Sequence, residues 1–372
     1  MRVAFITRST LYKIHGGSAV QVIETARQLR KLGVEVDICL AHEKIQYEKY
    51  DLLHFFDIIR PANILYHIKK CNLPFAVSPL LVDYSEYDKQ HRKGISGKLF
   101  RLFSADTNEY LKTVGRWLIG KDSLQSKTYL WKGHRRSMLE VLRRAGILLP
   151  NSTSEYNRLK EIFKIEKEHV IVPNGIDTDL FQVNEAYEKD DKLVICAARI
   201  EGIKNQINLI RAMNNTEYTV MLIGKAAPNQ GGYFKKCKKM AKSNIVFTGN
   251  LTQSELVGFY KKAKVHVLAS WFETCGLSSL EAAALGCNIV ITNKGYTRDY
   301  FGNHAFYCDP GDPSSIFETI VKASKASFQP SLQKEVIKNF TWEMAATQTF
   351  RGYMYVINDI SKGNNKLFTG SS

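Results

Sequence analysis

"KVHVLASWFETCGLSSLEAAALGCNIVITN", residues 264–293, decides the fold. A short apolar run reads as a strand, "SWFETCG" as a loop, "SSLEAAALG" as a helix and "CNIVITN" as a second strand. Strand, helix, strand in that order is the repeating unit of a parallel sheet covered by helices. Inside the unit, Glu273 and Glu281 stand eight positions apart. On one continuous helix they would lie roughly 80° apart in azimuth and about 12 Å apart along the axis. They reach one small ligand together only if Glu273 stands on the loop and Glu281 inside the helix that follows.

The same alternation runs outward in both directions. Before the quoted stretch come "KLVICAARI", "KNQINLIRAMNN", "YTVMLIG", a lysine-rich helix, "NIVFTGN" and "TQSELVGFYKKA". The first half repeats it with "RVAFIT", "AVQVIETARQLRKLG", "VEVDICL", "YDLLHFF", "PANILYHIKKC" and "PFAVSPLLV", then "AGILLPNS", "TSEYNRLKEIF" and a final strand at "HVIVPNG". Between the halves "IDTDLFQVNEAYEKDD" is polar and aperiodic, as a linker is. The reading is an α/β chain of two doubly wound Rossmann-like domains facing each other across a cleft. Its boundaries are a first domain at 1–175 joined by a C-terminal helix at about 348–364, a linker at 176–190, a second domain at 191–347 and a flexible tail at 365–372.

A chain of 372 residues is long enough for two cores of ordinary size. No apolar run approaches the ~20 residues that span a bilayer, and the N-terminus enters a strand without a secretory signal pattern. A cytoplasmic protein is expected. Seven scattered cysteines show no CxxC or zinc spacing and read as reduced thiols. The net charge of +16 implies an anionic partner. From Lys89 to Ala145 there are 14 Lys/Arg and 4 Asp/Glu, which concentrates +10 of the +16 in one stretch.

In open parallel sheets, ligands meet the loops at the carboxyl ends of strands. Arg199 and Lys204 follow "KLVICAA" and can clamp a diphosphate from two sides, though a lone pair of cations at this spacing is also an ordinary solvated surface. Glu273 is followed by Thr274, Cys275, Gly276 and Leu277, whose amides lead into a helix N-terminus suited to a phosphate or a sugar. Glu281, one turn further on, can accept two hydrogen bonds from a vicinal diol or simply stabilise the first helical turn. Gly16 and Gly17 lie between the first strand and its helix, while Gly249 and Asn250 end a second-half strand. Asp177 and Asp179 match a carboxylate metal pattern but sit in the linker, where a solvated loop is the preferred reading.

Together these residues resemble the GT-B-fold retaining glycosyltransferases of family four. The matches are the glycine pair after the first strand, "VPNGID" with Phe181, Arg199 with Lys204 and Asn205, "FTG", and "FETCGLSSLEAAALG" as the Glu-x7-Glu signature. The resemblance implies an acceptor-side first domain and a nucleotide-sugar-binding second domain. Arg199 and Lys204 would hold the donor diphosphate, Glu281 the ribose, and Glu273 with the amides of 274–277 the transferred sugar. Gly17 would complete the phosphate site, and Asn250 would lie near the base. Transfer would proceed with retention and without a metal or cofactor, the substrate being a UDP- or GDP-linked sugar and the acceptor a glycan or lipid-linked glycan of a surface polysaccharide or glycolipid.

Two departures stand out. Where many relatives carry a histidine this chain has Ser78, Pro79 and Leu80, leaving Asp83, Tyr84 and Glu86 as acceptor-side candidates, with a structural loop the competing reading. Thr274-Cys275-Gly276 replaces a frequent Gly-Phe-Gly. The basic stretch interleaves cations with Phe100, Phe103, Trp117 and Trp131, a composition suited to an anionic membrane surface on the inner face and equally to a solvated face over a core. It lacks an RNA-binding aromatic signature, so no nucleic-acid partner is expected. Sugar-nucleotide epimerases, phosphorylases and non-catalytic binders are the alternatives; the first lack the Arg/Lys clamp combined with Glu-x7-Glu, and the second carry a lysine-bound pyridoxal group.

Overall fold

The computed structural model describes residues 1–13, 16–88, 103–119, 124, 126–181 and 188–368, with side chains of the last helix through Asp359. Phe100 with the rest of 89–102, residues 120–123 and 125 of the basic stretch, 182–187 of the linker and 369–372 of the tail lie outside the described residues. The chain divides into two units: Met1–Leu81 with Leu102–Pro173 and Trp342–Ser372, and Val82–Arg101 with Asn174–Thr341.

The first unit is built on β1 (Arg2–Thr7), β2 (Glu35–Leu40), β3 (Leu52–Phe56), β4 (Phe75–Ser78) and β5 (Ile147–Leu148) in the order β2-β1-β3-β4-β5, every pair parallel. Helices α1 (Gly17–Lys31), α2 (Pro61–Ile68), α3 (Ala105–Leu118), α4 (Thr128–Arg144) and α5 (Thr153–Phe163) accompany the sheet. β3 is buried along its whole length, as strands covered on both faces are. It nevertheless carries His54, whose Nδ1 meets the Tyr353 hydroxyl at 2.6 Å and whose Nε2 meets Ser78 Oγ at 2.9 Å. Burial lowers His54 to about 3, so the ring is neutral and both nitrogens are satisfied. Ser78, at the place where the resemblance would put a histidine, is thus spent inside the core.

Two expectations change here. "HVIVPNG" forms no named strand; it touches β5 by one isolated bridge, Leu148 to His169, and by bonds such as Val170 N to Leu148 O at 3.0 Å. Pro150 and Pro173 lack the N–H a longer ladder needs. The C-terminal helix runs from Trp342 to Phe368, longer at both ends than 348–364, so residues 365–368 of the expected tail are helical. Trp342 is 2% exposed, and Glu343 in the first turn accepts from Gln28 Nε2 at 2.8 Å, so burial and an acidic first turn start the helix early.

The second unit comprises β6 (Asp190–Ala197), α6 (Gln206–Met213), β7 (Thr219–Ile223), α7 (Gly231–Met240), β8 (Ile245–Gly249), α8 (Gln253–Lys262), β9 (Ala263–Leu268), α9 (Leu277–Ala284), β10 (Asn288–Thr292), α10 (Arg298–Phe301), β11 (Phe306–Cys308), α11 (Pro313–Lys325) and α12 (Pro330–Asn339). Its parallel strands lie in the order β11-β10-β9-β6-β7-β8. The chain winds outward from β6 to β8, returns to pair β9 with β6, and winds out the other way. The order therefore reverses between β6 and β9, where the loops leaving the two strands diverge and open a crevice. Those loops carry Arg199 with Lys204 and Glu273. Residues 82–88 also belong to this unit, through Glu86 and Tyr87, rather than to the first domain expected at 1–175.

Candidate active site

After β6 the chain makes a turn of 3-10 helix, Gly202–Lys204, before α6. Asn205 ends the turn in the left-handed region at φ 57°, a conformation asparagine tolerates. Its buried amide donates to Ala269 O at 3.0 Å and Pro310 O at 2.7 Å, while Trp271 N donates to Ile203 O at 2.8 Å. The loops after β6 and β9 are thereby stitched together. This brings Lys204 Nζ to 2.5 Å from Glu273 Oε1, which also accepts from Ser270 Oγ at 2.6 Å. Glu273 is 5% exposed, so its carboxylate is held by charge-assisted bonds on one oxygen.

The backbone of Glu273 is fixed from the other side by the turn after β10. Glu273 N donates to Lys294 O at 3.3 Å, and Tyr296 N donates to Glu273 O at 2.9 Å. Gly295 makes the closeness possible: its φ is +100°, and a Cβ there would lie 1.9 Å from Glu273 O.

Gly276 precedes α9 at φ 74° and turns the chain into a helix whose first-turn amides have no intrahelical acceptor. Ser279 N and Leu280 N return to Gly276 O at 2.8 and 3.1 Å. Leu277 and Ser278 precede them in the first turn, where a helix N-terminus can donate to an anion or hydroxyl. Cys275 is buried, its thiol pushed up to about 12 by burial, and accepts from Asn174 Nδ2 at 3.3 Å. It is a packed, protonated thiol. Glu281 projects from the second turn of α9, where Tyr260 Oη donates to Oε2 at 3.5 Å. Burial pushes its carboxyl up to about 8, so near neutrality it holds a proton and can donate as well as accept.

The other expected residues fall as follows. Arg199 lies on the β6 loop with its guanidinium 2.7 Å from Glu201 Oε1. Gly249 ends β8 at φ 79°, and the exposed Asn250 follows it, two strands along from β6. Gly16 and Gly17 begin α1 in the first unit, Gly16 O accepting from Ala19 N at 2.8 Å. Asp177 accepts from the amide of Asp179 at 3.1 Å, the local turn expected of a linker. Asp83 likewise caps its own turn, accepting from Ser85 N at 2.8 Å; Tyr84 O accepts from Asp88 N at 2.8 Å; Glu86 pairs with Lys294. All seven cysteines are free thiols. Ser270, Asn174, Lys294, Gly295 and Tyr296 went unnoticed as site residues.

Residues 177–340 match the family model of glycosyl transferases group 1. Among curated proteins, the chain is 24% identical over 236 residues to an MMP alpha-(1->4)-mannosyltransferase of Mycolicibacterium hassiacum, covering 60% of this chain and 57% of that protein. It is 26% identical over 326 residues to a Campylobacter jejuni N-acetylgalactosamine-N,N'-diacetylbacillosaminyl-diphospho-undecaprenol 4-alpha-N-acetylgalactosaminyltransferase, covering 80% and 83%. The match thus spans little more than half of the first relative and most of the second. Among solved structures, Anabaena HepE in complex with UDP-glucose superposes with a TM-score of 0.62 at 15% identity, covering 97% of this chain and all of that one. The two-sheet α/β architecture is accordingly the GT-B fold.

Proposed function

We propose that this chain, whose residues 177–340 match the family model of glycosyl transferases group 1, is a retaining, metal-independent transferase moving a sugar from a nucleoside-diphosphate donor to a hydroxyl of a glycan or lipid-linked glycan. The observation that carries the reading is the Lys204–Glu273 pair at the reversal of strand order, on a loop that runs into the N-terminus of α9. A diphosphate arriving there draws Lys204 from Glu273, with Arg199 as the second cation. The freed carboxylate then accepts from sugar hydroxyls, and Glu281 receives the ribose. As the glycosidic bond to phosphate breaks, Lys204 and Arg199 stabilise the departing phosphate oxygen. That oxygen takes the proton of the attacking hydroxyl on the same face, which gives retention without a protein base.

HepE binds UDP-glucose, and we take UDP or GDP as the donor nucleotide, with no further cofactor. Turnover is tested by nucleotide release from UDP-, GDP- and ADP-sugars, and the product anomer by proton NMR. Release with an inverted anomeric centre contradicts retention; undiminished rate in chelator is expected, and loss of rate would contradict metal independence.

The name of the second relative specifies a diphospho-undecaprenol substrate, and the first unit carries a surface suited to such a lipid. No described helix is long and apolar enough to cross a membrane. On α3, the residue after it and α4, however, Leu118, Ile119 and Trp131 are 71, 64 and 90% exposed, and the cations Lys127, Arg136 and Arg143, beside or on α4, are exposed as well. Exposed apolar side chains among cations fit an anionic bilayer interface. Flotation with anionic vesicles and its loss in Trp131→Ala is the expected result; equal failure with anionic and neutral vesicles rules the surface out.

A further inference from the structure

The turn that pins Glu273 has a second attachment. Lys294, whose carbonyl accepts from Glu273 N at 3.3 Å, sends its amine to an ion pair with Glu86 and lies 5.8 Å over the Trp271 ring. The next residue, Tyr87, reaches the other loop of the site: a Cβ placed on Gly202 would lie 1.7 Å from the Tyr87 hydroxyl oxygen. Gly202 opens the 3-10 turn that ends at Lys204. Two consecutive side chains therefore contact the turn that pins the Glu273 backbone and the turn that carries Lys204. Their own backbone is braced as a helical turn, by Asp83 accepting from Ser85 N at 2.8 Å and by Asp88 N donating to Tyr84 O at 2.8 Å.

We infer that Glu86, Tyr87 and Lys294 are positioning residues, a clip that sets where Glu273 and Lys204 stand relative to one another. This rests on the assignment of those two residues to the donor site. The clip touches the loops from outside the Lys204–Glu273 contact, so it acts through them. Neither Glu86 nor Lys294 is deeply buried, their side chains being 35 and 33% exposed, so the effect of breaking the pair is modest. A partly exposed pair of this kind supports roughly a five-fold effect on a rate.

Glu86→Gln and Lys294→Gln are therefore expected to lower kcat about five-fold while leaving the donor KM within two-fold. The charge-exchanged chain, Glu86→Lys with Lys294→Glu, is expected to regain most of the loss, because the pair is restored in reverse. Single variants that turn over like the native chain, or an exchanged chain no better than the worse single variant, would overturn the inference. Amide hydrogen exchange by NMR provides a readout that does not need turnover. In Glu86→Gln the amides of Glu273 and Tyr296 should exchange faster than in the native chain, and unchanged exchange there would also overturn it. A native chain that transfers no sugar while its Glu273 amide loosens in Glu86→Gln would refute the proposed function and leave the clip standing.

Discussion

Gly295→Ala has an effect that follows directly from the geometry around Glu273. A Cβ at 295 would stand 1.9 Å from Glu273 O and 2.9 Å from Glu273 N. Carbon and oxygen in close contact sit about 3.3 Å apart, so the two turns must separate by roughly 1.4 Å. The φ of +100° adds backbone strain of about 1–3 kcal/mol. Neither the Glu273 carbonyl nor its neighbours can swing away as a flexible side chain would, because Tyr296 N holds that carbonyl at 2.9 Å. The Glu273 side chain moves with its backbone. A misplacement of about 1 Å at a reacting centre costs on the order of 100-fold in rate, and that is the expected fall in kcat/KM. Steady-state nucleotide release measures it, and circular dichroism melting separates it from unfolding. Gly302→Ala is the control: its φ is +47° with nothing within 4 Å, so it carries strain without displacement and should keep its turnover. A folded Gly295→Ala chain within two-fold of native turnover would refute the assignment of Glu273 to the site.

Lys204→Ala should raise the barrier by about 2–4 kcal/mol, the range for removing a group that stabilises developing charge; unchanged kcat in the same assay would exclude it. Tyr353→Phe should cost about 1–3 kcal/mol in denaturant titration, because His54 Nδ1 loses its partner inside the core, and an unshifted midpoint would contradict that. The histidine also sets an acid limb. Folded His54 stays neutral down to about 3 while the unfolded ring takes a proton below its usual 6.5, so the unfolded state binds more protons in that window. Stability is thus full above pH 6.5 and lost as pH falls through it. His54→Gln should flatten the fall in melting temperature between pH 6.5 and 4, and a slope equal to that of the native chain would contradict the buried neutral ring.

The sequence exposes those parts of the proposed site that follow strands. Arg199, Lys204 and Glu273 stand on loops at strand ends as the alternating pattern predicts, and such loops are where a parallel sheet puts ligands. The partner of Glu273 on its far side was not legible. Gly295 lies 22 positions on from Glu273, and Glu86 lies 208 positions from Lys294; no local pattern marks pairing at such separation. Tyr87 against Gly202 is of the same kind. The strand expected at "HVIVPNG" has the right residues, but the prolines on either side stop its ladder. β11 is three residues long, too short for its alternation to register. Ser78 shows the opposite case, where a departure from the family pattern is explained by packing, since its hydroxyl completes the His54 core bond.

The claim on which the account turns is that the loops after β6 and β9 receive a nucleoside diphosphate, with Arg199 on the phosphates and Glu281 on the ribose. Calorimetric titration of UDP, GDP and ADP into the native chain, Arg199→Ala and Glu281→Ala tests it without an acceptor or a sugar. One of the three nucleotides should bind the native chain, and both variants should bind it at least about ten-fold more weakly, a loss of roughly 1.4 kcal/mol. Failure of the native chain to bind any of the three, or equal affinity in all three chains, would contradict the account.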